Sequence, residues 1–276
     1  MAPAHYLDQL RAFDAILLGA VGRPDIPDHI TLNGLLLPIR RTFDQFANVR
    51  PAVLYPGVEG PLKAFKGGEI DMVVVRENTE GEYAQVGGFV FHQQPEEVAI
   101  QTSVFTHRAV TESNAQGYGL VLWDRVFSHV AAEFPDIATE SLLVDAAAMN
   151  FVRRPDSFDV VVASNLFGDI LSDISAIVTG SIGLAPSANL DPTRRFPSMF
   201  EPVHGSAPDI AGKGVVNPLA AIFSAGMMLE HLVGAEAGAA VERAVAGALA
   251  EGTVRTPDLG GKSTTQEVGD AVLARL

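Results

Sequence analysis

The stretch FDVVVASNLFGDILSD, residues 158–173, decides the fold of this chain. Its first half includes 159–163, where three consecutive valines are typical of a buried strand. A helix is predicted to begin near Asn165, and on this helix Asp169 and Asp173 stand one turn apart, so both carboxylates project from one face. A strand that runs directly into a helix is the repeating unit of α/β proteins, which is the fold class that the sequence predicts.

The two carboxylates of this helix are candidate metal ligands. Neighbouring carboxylates either repel each other or share a hard divalent cation, and oxygen ligands of this kind suit Mg²⁺ or Mn²⁺. A third candidate ligand, Asp145, lies at the end of the apolar run 142–144. The alternative interpretation is a polar helix face that is simply solvated.

Composition limits the class of partner. The chain has 276 residues, a formal net charge of −14 and no cysteine. This length can bury a sizeable core, as one large domain or two small ones. The acidic balance argues against binding to nucleic acid, and it means that an anionic ligand needs locally clustered arginines. The absence of cysteine excludes disulfides and thiolate zinc sites. Without a signal peptide or a long apolar run, we predict a cytoplasmic protein that does not enter a membrane.

Alternation of strands and helices continues along the chain. Helices are predicted at 6–13, 35–46, 123–134, 218–232 and 266–276, and strands at 14–19, 52–55, 70–75, 89–92 and 98–105. Residues 141–149 fit either type. The stretch 180–218 is rich in glycine and proline and lacks periodicity, so we predict a long functional loop. Two helices are expected to finish the chain, the second behind a capping box of Thr264 and Glu267.

Three arginines occupy positions from which they can bind an anion. Arg40 closes a helical run, Arg50 lies in ANVRP, and Arg76 ends the strand DMVVV. Ligands collect beyond the carboxyl ends of parallel strands in open α/β sheets, so Arg76 is the most informative of the three. Converging guanidinium groups would bind a small dicarboxylate through forked hydrogen bonds. The alternative is three separate surface ion pairs of little energetic weight.

A glycine-containing stretch, EPVHGSAPDIAGKGVVNP, spans residues 201–218. Its small residues let the backbone approach a ligand closely, and its histidine and aspartate offer an aromatic face and an acceptor; the residues concerned are His204, Gly205, Ser206, Ala207 and Asp209. An acidic side chain beside a ribose favours a free 2′-hydroxyl over a 2′-phosphate. No G-x-G-x-x-G element follows a strand, so a Rossmann dinucleotide site is not supported. The alternative is a loop without a ligand.

Four motifs together resemble one family. RENTEGEY (76–83), NLFGDILSD (165–173), EPVHGSAPDIAGKG (201–214) and TPDLGGKSTTQEV (256–268) are similar to the β-decarboxylating dehydrogenases, the isocitrate and isopropylmalate dehydrogenase superfamily, and most similar to its tartrate and D-malate branch. The resemblance implies a two-domain α/β fold of the isopropylmalate dehydrogenase type, with a shared mixed sheet and not a classical Rossmann fold. The implied domains are a discontinuous cofactor-side domain, 1–46 plus 181–276, and a central domain, 47–180, with the substrate and metal residues and the dimer contacts.

The same resemblance implies NAD- and metal-dependent oxidation of a small 2-hydroxy acid such as tartrate or D-malate, with β-decarboxylation as a possible second step, in a homodimer with shared active sites. Arg40, Arg50 and Arg76 correspond to the substrate-binding arginines, and Tyr83 to the tyrosine that protonates the enol. The implied metal ligands are Asp145, from the neighbouring subunit, with Asp169 and Asp173. The implied cofactor residues are His204, Gly205, Ser206, Ala207, Asp209 and Asn217, and Asp209 implies NAD.

The chain departs from the family pattern in three places. An N-terminal segment of about 60 residues is expected to be absent, as are about 20 residues between Val110 and Glu112, which would leave strand edges unpaired. Glu112 also stands where relatives carry the lysine that takes the hydroxyl proton. Two like charges about 4 Å apart cost on the order of 4 kcal/mol at an effective dielectric of 20, so we predict that turnover is strongly reduced or absent.

Three alternatives follow from these departures. The chain would be a catalytically inactive member that binds ligand or pairs with an intact relative, or the product of a misplaced start codon or a damaged gene. Alternatively its activity would resemble that of isopropylmalate dehydrogenase, because Asn33 occupies the position that distinguishes the branches and leaves the choice of hydroxy acid open.

Overall fold

The computed structural model describes residues 3–106 and 119–276. Across these ranges a six-stranded sheet forms in the order β1-β8-β7-β2-β3-β6, and β4 and β5 form a separate hairpin. The strands are β1 (Ala15–Leu17), β2 (Ala47–Val53), β3 (Asp71–Glu77), β4 (Gly87–Val90), β5 (Val98–Gln101), β6 (Val160–Ala163), β7 (Pro186–Leu190) and β8 (Ser198–Pro202).

The sheet is mixed, as predicted. β1 pairs with β8 and β3 with β6 in parallel, whereas β2 pairs antiparallel with both β3 and β7, and β7 pairs antiparallel with β8. The β2–β7 pair joins strands of the central segment 47–180 to strands from the two ends of the chain. One continuous sheet therefore spans both of the predicted domains, while the domain boundaries themselves stay a prediction.

Helices cover both faces of this sheet. They are α1 (Tyr6–Leu10), α2 (Asp28–Thr31), α3 (Leu37–Thr42), α4 (Gly119–Ala131), α5 (Val144–Arg153), α6 (Asn165–Val178), α7 (Leu219–Leu232), α8 (Ala235–Glu251) and α9 (Thr265–Leu273), with a π-helical segment, Leu32–Leu36, between α2 and α3. The main core contains Leu54, Met72, Val74, Phe151 and Val245. No helix in the described ranges is long and apolar enough to cross a membrane.

The predicted long loop at 180–218 is wrong, because it contains β7 and β8. Both strands lie inside the sheet, but several of their inward positions are polar and therefore hide the apolar pattern. Asn189 and Ser198 are completely buried, and Asn48 of β2 donates to Ser187 Oγ at 2.7 Å. Buried polar groups that satisfy one another take the place of the valines and isoleucines that periodicity looks for.

The end of the chain also differs from the prediction. Three helices, not two, follow residue 218 in the part that the structure describes, because α8 forms over an alanine-rich stretch. The ambiguous segment 141–149 becomes the start of α5. The capping box is confirmed, since Thr264 Oγ1 accepts from Glu267 N at 3.2 Å and Thr264 N donates to the Glu267 carboxylate at 2.7 Å.

Candidate active site

Three buried arginines come from three different elements. Arg40 lies on α3, Arg50 in β2 and Arg76 near the end of β3, and each is at most 6% exposed. In the antiparallel β2–β3 ladder Arg50 is opposite Val74 and Asn48 is opposite Arg76. Arg50 and Arg76 are thus diagonal neighbours on one face of the sheet, within reach of a common partner. The structure brings the predicted arginines together.

Asp169 is the common partner of two of these arginines. Arg50 Nη1 donates to Asp169 Oδ1 at 3.2 Å and to Ser172 Oγ at 2.7 Å. Arg76 Nη1 donates to the same oxygen of Asp169, and its Nη2 donates to Asn165 Oδ1 at 2.7 Å. The first turn of α6 and the end of β3 therefore form one hydrogen-bonded unit.

Gly168 makes this close approach of helix and strand possible. A Cβ at this position would lie 2.7 Å from Cβ and Cγ of Arg76 and 3.2 Å from its Cα. Any larger side chain would push α6 away from β3. The signal for this role was present in NLFGD, where a glycine interrupts an otherwise apolar helical pattern, but a sequence pattern does not reveal which neighbour the glycine faces.

Burial changes the acid strength of the clustered arginines. Burial, and then the charge of Arg50, lower the pKa of Arg76 to about 9, although Asp169 acts in the opposite direction. Burial likewise lowers the pKa of Arg50, and Arg40 adds to this effect. The Nε atoms of Arg40 and Arg50 are buried and have no hydrogen-bond partner among the described residues. These two Nε atoms keep hydrogen-bond donors available for the oxygen atoms of an anion.

Asp173 stands one turn beyond Asp169 on α6. Burial, followed by the negative charge of Asp169, raises its pKa, although Arg50 and Arg76 partly offset this. Within the described residues its carboxylate has neither a hydrogen bond nor an ion pair. A carboxylate that is repelled by its neighbour and lacks its own partner is a favourable position for a cation.

Asp145 does not join this pair within one chain. It is exposed in the first turn of α5, where its Oδ1 accepts from Ala146 N at 2.7 Å. In the described part of the chain no three His, Asp or Glu side chains are grouped closely enough to hold a metal ion. The three predicted metal aspartates therefore do not meet in a single copy. Asp169 and Asp173 lie on α6, whereas Asp145 lies at the start of α5.

Tyr83 lies at the edge of the same cluster. Its hydroxyl donates to Asp169 Oδ2 at 3.4 Å, and the guanidinium of Arg76 lies 5.7 Å from the centre of its ring. Arg41 Nη2 donates to the Tyr83 carbonyl at 2.7 Å and holds the backbone in place. Burial and then Asp169 raise the pKa of Tyr83, so the phenol stays protonated. The other predicted catalytic residue, Glu112, lies outside the described residues.

A buried carboxylate that the sequence did not reveal holds the third arginine. Arg40 Nη2 donates to Glu201 Oε1 at 2.8 Å, and Asn189 Nδ2 donates to the same oxygen at 2.9 Å. Asn189 Oδ1 in turn accepts from Asn48 at 3.1 Å and Asn78 at 2.8 Å. This network ties α3 to the centre of the sheet. Because Arg40 is 161 residues from Glu201, and Asn48 and Asn78 are more than 100 residues from Asn189, no local motif could have shown it.

The predicted cofactor loop follows β8 and faces the turn after β1. Gly22 approaches Ser206 so closely that a Cβ on Gly22 would lie 2.7 Å from Ser206 Oγ. Ala207 has a φ of 44°, a left-handed conformation that non-glycine residues rarely adopt and that is frequent in ligand-binding loops. A Cβ on Gly205 would meet no atom within 4 Å. His204 Nδ1 lies 2.9 Å from the Gly205 carbonyl, and Asp209 is exposed.

Asn217 differs from the rest of the predicted cofactor set because it is buried. Its Nδ2 donates to Asp258 Oδ2 at 2.9 Å, and its Oδ1 accepts from Leu219 N at 3.0 Å. Ser181 Oγ donates to the same oxygen of Asp258 at 2.5 Å. Asn217 thus joins the start of α7 to the TPDLGG segment, and a direct contact with a cofactor stays a prediction.

Comparison with known proteins identifies the family. A family model described as isocitrate/isopropylmalate dehydrogenase matches residues 1–117 and 108–272. The chain belongs to this family. The resemblance read from its four motifs is therefore confirmed.

Individual relatives agree with this assignment. The tartrate dehydrogenase/decarboxylase of Pseudomonas putida is 46% identical over 313 residues, covering 100% of this chain and 84% of the relative. The D-malate dehydrogenase (decarboxylating) of Escherichia coli strain K12 is 46% identical over 300 residues, covering 99% and 83%. The crystal structure of isocitrate dehydrogenase from Methylococcus capsulatus has a TM-score of 0.87 at 34% identity, covering 99% and 85%. The predicted fold class is confirmed.

The comparisons also bear on the predicted internal gap. Both alignments are longer than the 276 residues of this family member, so its relatives carry residues that it lacks. The family match consists of two segments, which overlap at residues 108–117 of this chain. This position agrees with the expected gap between Val110 and Glu112.

Proposed function

We propose that this family member binds a small 2-hydroxy dicarboxylic acid, of the kind represented by tartrate and D-malate, for NAD- and metal-dependent oxidation followed by loss of the β-carboxyl group as CO₂. The observation that carries the proposal is the sharing of Asp169 by Arg50 and Arg76 directly beside the unpaired carboxylate of Asp173. Positive groups for carboxylates and negative groups for a cation occur in one cluster, which is the charge pattern that a metal-chelated hydroxy acid requires.

The residues present fit a divalent cation. Asp169 and Asp173 would supply two carboxylate ligands of the type that Mg²⁺ and Mn²⁺ prefer. Burial and then repulsion by Asp169 raise the pKa of Asp173, and a bound cation would favour the ionised carboxylate against both effects. It would also compete for the Asp169 carboxylate and leave Arg50 and Arg76 free to bind the carboxylates of the substrate. When bound, the metal supplies Lewis-acid polarisation of the substrate oxygens, and NAD supplies the hydride acceptor.

The 204–209 loop fits a dinucleotide. Its open backbone at Gly205, the strained Ala207 and the exposed carboxylate of Asp209 provide close approach and an acceptor for a ribose hydroxyl. A 2′-phosphate would be repelled by Asp209, so we assign NAD in preference to NADP. In this proposal Tyr83 would protonate the enol that decarboxylation leaves, and its raised pKa and its hydrogen bond to Asp169 support this role.

The shared site of a homodimer is part of the proposal. On α6, Asp173 lies on the same face as the exposed Ile170 and Ile177, at spacings of three and four residues. On α5, Asp145 lies on the same face as the exposed Met149 and Val152, at spacings of four and seven. The two helices pack against each other. A second copy that covers these apolar faces would bring its Asp145 towards Asp173 of the first copy, which supplies the missing third ligand.

A second candidate function is ligand binding without turnover. It is favoured because Glu112 stands at the position of the family's lysine. No lysine occurs between residues 67 and 212 that could replace it. A carboxylate near a metal and an anionic substrate is either protonated and unable to act as a base or repels the substrate.

Calorimetry and an NADH assay with the same protein test the proposal. Tartrate and D-malate are titrated into protein containing Mn²⁺ and NAD⁺, and NADH is followed by absorbance. Binding that weakens at least about 10-fold in Arg50→Met but not in the exposed control Arg243→Met supports the proposed site. NADH formation then favours the dehydrogenase, whereas binding alone favours the second candidate. Equal binding by wild type and Arg50→Met would refute the assignment of the site.

A further inference from the structure

A cavity of about 460 Å³ lies along the outer edge of the sheet, beside β6. It is lined by the four consecutive residues Asp159, Val160, Val161 and Val162. Because successive side chains of a strand point to opposite faces, a cavity on one face would be lined by alternate residues only. The cavity therefore follows the edge of the strand itself, and we name it the β6 slot.

Helices form the two walls of the β6 slot. Phe127 of α4 lines one side and Val144 and Ala147 of α5 line the other, while Phe167 and Leu171 of α6 also contribute apolar surface. Val162 packs with α4, whereas Val161 packs with the main core that includes α5. The chain that connects α4 to α5 lines a further side through residues 137–142. The slot is thus an elongated space between the edge of β6, two helices and this connection.

The outer edge of β6 has backbone N–H and C=O groups that could pair with a further strand. Val73 N donates to Asp159 O at 2.9 Å, and Val73 is in register with Val160 in the parallel pair. In such a ladder Asp159, Val161 and Ala163 face β3, so the N–H and C=O groups of Val160 and Val162 point away from it. Among the strands that the structure describes, none pairs with this edge, and Val160 is 64% exposed.

The break in the family match lies close in sequence to one wall of the slot. Relatives carry residues that the chain lacks, and the family match breaks at 108–117. This break directly precedes Gly119, where α4, one wall of the slot, begins. The strand-edge donors and acceptors of β6 and the apolar side chains beside them are therefore available to a peptide from another molecule.

We propose that the β6 slot binds an extended apolar peptide in trans, which adds a strand beside Val160–Val162. Main-chain hydrogen bonds to β6 would give affinity, and apolar side chains between α4 and α5 would give selectivity. The rim carries Asp124, Asp159 and Glu140, and the whole chain has a net charge of −14, so basic flanking residues are favoured. Of these three carboxylates, Glu140 pairs with Arg154 at 3.6 Å, and the other two form no ion pair with a residue that the structure describes. The inference is independent of the proposed dehydrogenase chemistry.

A labelled peptide tests the proposal on the full chain. The probe is fluorescein-labelled Lys-Val-Thr-Val-Thr-Val-Lys, and binding is measured by fluorescence anisotropy. The matched probe has the same sequence with every central amide nitrogen methylated, which removes its donors but keeps its charge. We expect saturable binding of the first peptide in the micromolar range and at least about 10-fold weaker binding of the second, because each lost main-chain hydrogen bond contributes modestly.

Two variants at one position locate the binding. Val160→Pro removes an N–H that faces the slot and leaves the ladder to β3 intact, whereas Val160→Thr keeps both the N–H and the branched shape. We expect Val160→Pro to weaken peptide binding at least about 10-fold and Val160→Thr to preserve it, with the same thermal midpoint in both. Absence of saturable binding, equal binding of both peptides, or full binding by Val160→Pro would overturn the proposal. Loss of a dimer in Val160→Pro without peptide binding would assign the edge to a second copy and also overturn it.

Discussion

Arg50 Nη1 lies 3.2 Å from Asp169 Oδ1, and this contact joins the group of predicted substrate arginines to the group of predicted metal aspartates. The arginine comes from a strand in the middle of the sheet and the aspartate from the first turns of α6. Because the two side chains are in contact, a change in the charge of the aspartates changes the electrostatic potential at the arginines, and the reverse also holds. Cation and anion are therefore expected to bind together, because each offsets charge that the other ligand leaves uncompensated.

Gly168→Ala tests the close approach of α6 to β3. The added methyl group would meet Cβ and Cγ of Arg76 at 2.7 Å, so we expect a loss of about 1–3 kcal/mol in the free energy of unfolding and weaker binding of dicarboxylates. Gly269→Ala in α9 is the matched control, because its methyl group would meet no atom within 4 Å and alanine favours a helix. Urea unfolding and calorimetry measure both effects. Equal stability of the two variants would contradict the packing described.

Glu112→Lys tests the predicted loss of the catalytic base. The substitution replaces the carboxylate by the lysine that, according to the family resemblance, takes the proton of the substrate hydroxyl. We expect Mn²⁺-dependent NADH formation from D-malate or tartrate to rise by at least about 10-fold, since a positioned acid or base contributes that much or more. Glu112→Gln is the control, because it removes the charge without supplying a base. If the lysine variant forms NADH no faster than the glutamine variant, the role assigned to residue 112 is wrong.

Asp191→Asn tests the buried turn between β7 and β8. Burial alone would raise the pKa of Asp191, but hydrogen bonds from Thr193 and the backbone N–H of Arg195 outweigh it and lower the pKa. We expect the variant to lose about 1–3 kcal/mol in the free energy of unfolding at neutral pH.

The pH dependence of this loss follows from the sign of the shift. A carboxyl group with a lowered folded pKa stabilises the protein above its unfolded pKa, about 3.9, and this stabilisation disappears as the pH falls through the lower folded value. The difference between wild type and Asp191→Asn in urea unfolding should stay constant from about pH 7 to pH 5 and shrink below about pH 4. A difference that grows on acidification would show that the ionised group is not the stabilising form.

Mixed dimers test the sharing of Asp145. A dimer of Asp145→Asn alone, or of Asp173→Asn alone, would have two damaged metal sites. A mixed dimer would retain one site that draws Asp145 from the second variant and Asp173 from the first. After unfolding and refolding an equal mixture, we expect about a quarter of the wild-type number of tight Mn²⁺ sites. If the mixture binds no more Mn²⁺ than the separate variants, Asp145 does not act across a dimer.

Local patterns revealed much of the fold but not its centre. The strand and helix at 159–178, the hairpin of β4 and β5 and the Thr264 capping box follow from short-range sequence signals, and all are found in the structure. β7 and β8 were missed because Ser187, Asn189 and Ser198 place polar groups where apolar alternation was expected. A buried polar network satisfies its hydrogen bonds between segments far apart in sequence, and periodicity carries no information about such partners.

The candidate site shows the same limit. Arg76 and Asp169 were identifiable because Arg76 ends a strand and Asp169 lies near the start of a helix, both within long motifs. Arg40, near the end of α3, and Arg50, within β2, lie outside those motifs, and the family resemblance pointed to them. The roles of Glu201 and Gly168 could not be identified from the sequence. Glu201 accepts a hydrogen bond from Arg40, and Gly168 leaves room for Arg76, so each role depends on a side chain that is distant in sequence. Asp145 illustrates a further case, since the sequence could name it as a candidate ligand while the fold of one chain leaves it apart from Asp169 and Asp173.

Binding of Mn²⁺ in the presence of D-malate tests most directly whether Asp169 and Asp173 form a metal site beside the arginines. Free Mn²⁺ is measured by electron paramagnetic resonance for the wild type, Asp169→Asn, Asp173→Asn and the exposed control Asp270→Asn. We predict that each of the first two substitutions weakens Mn²⁺ binding at least about 10-fold, and that the control leaves it unchanged. Wild-type affinity in both Asp169→Asn and Asp173→Asn would contradict the assignment.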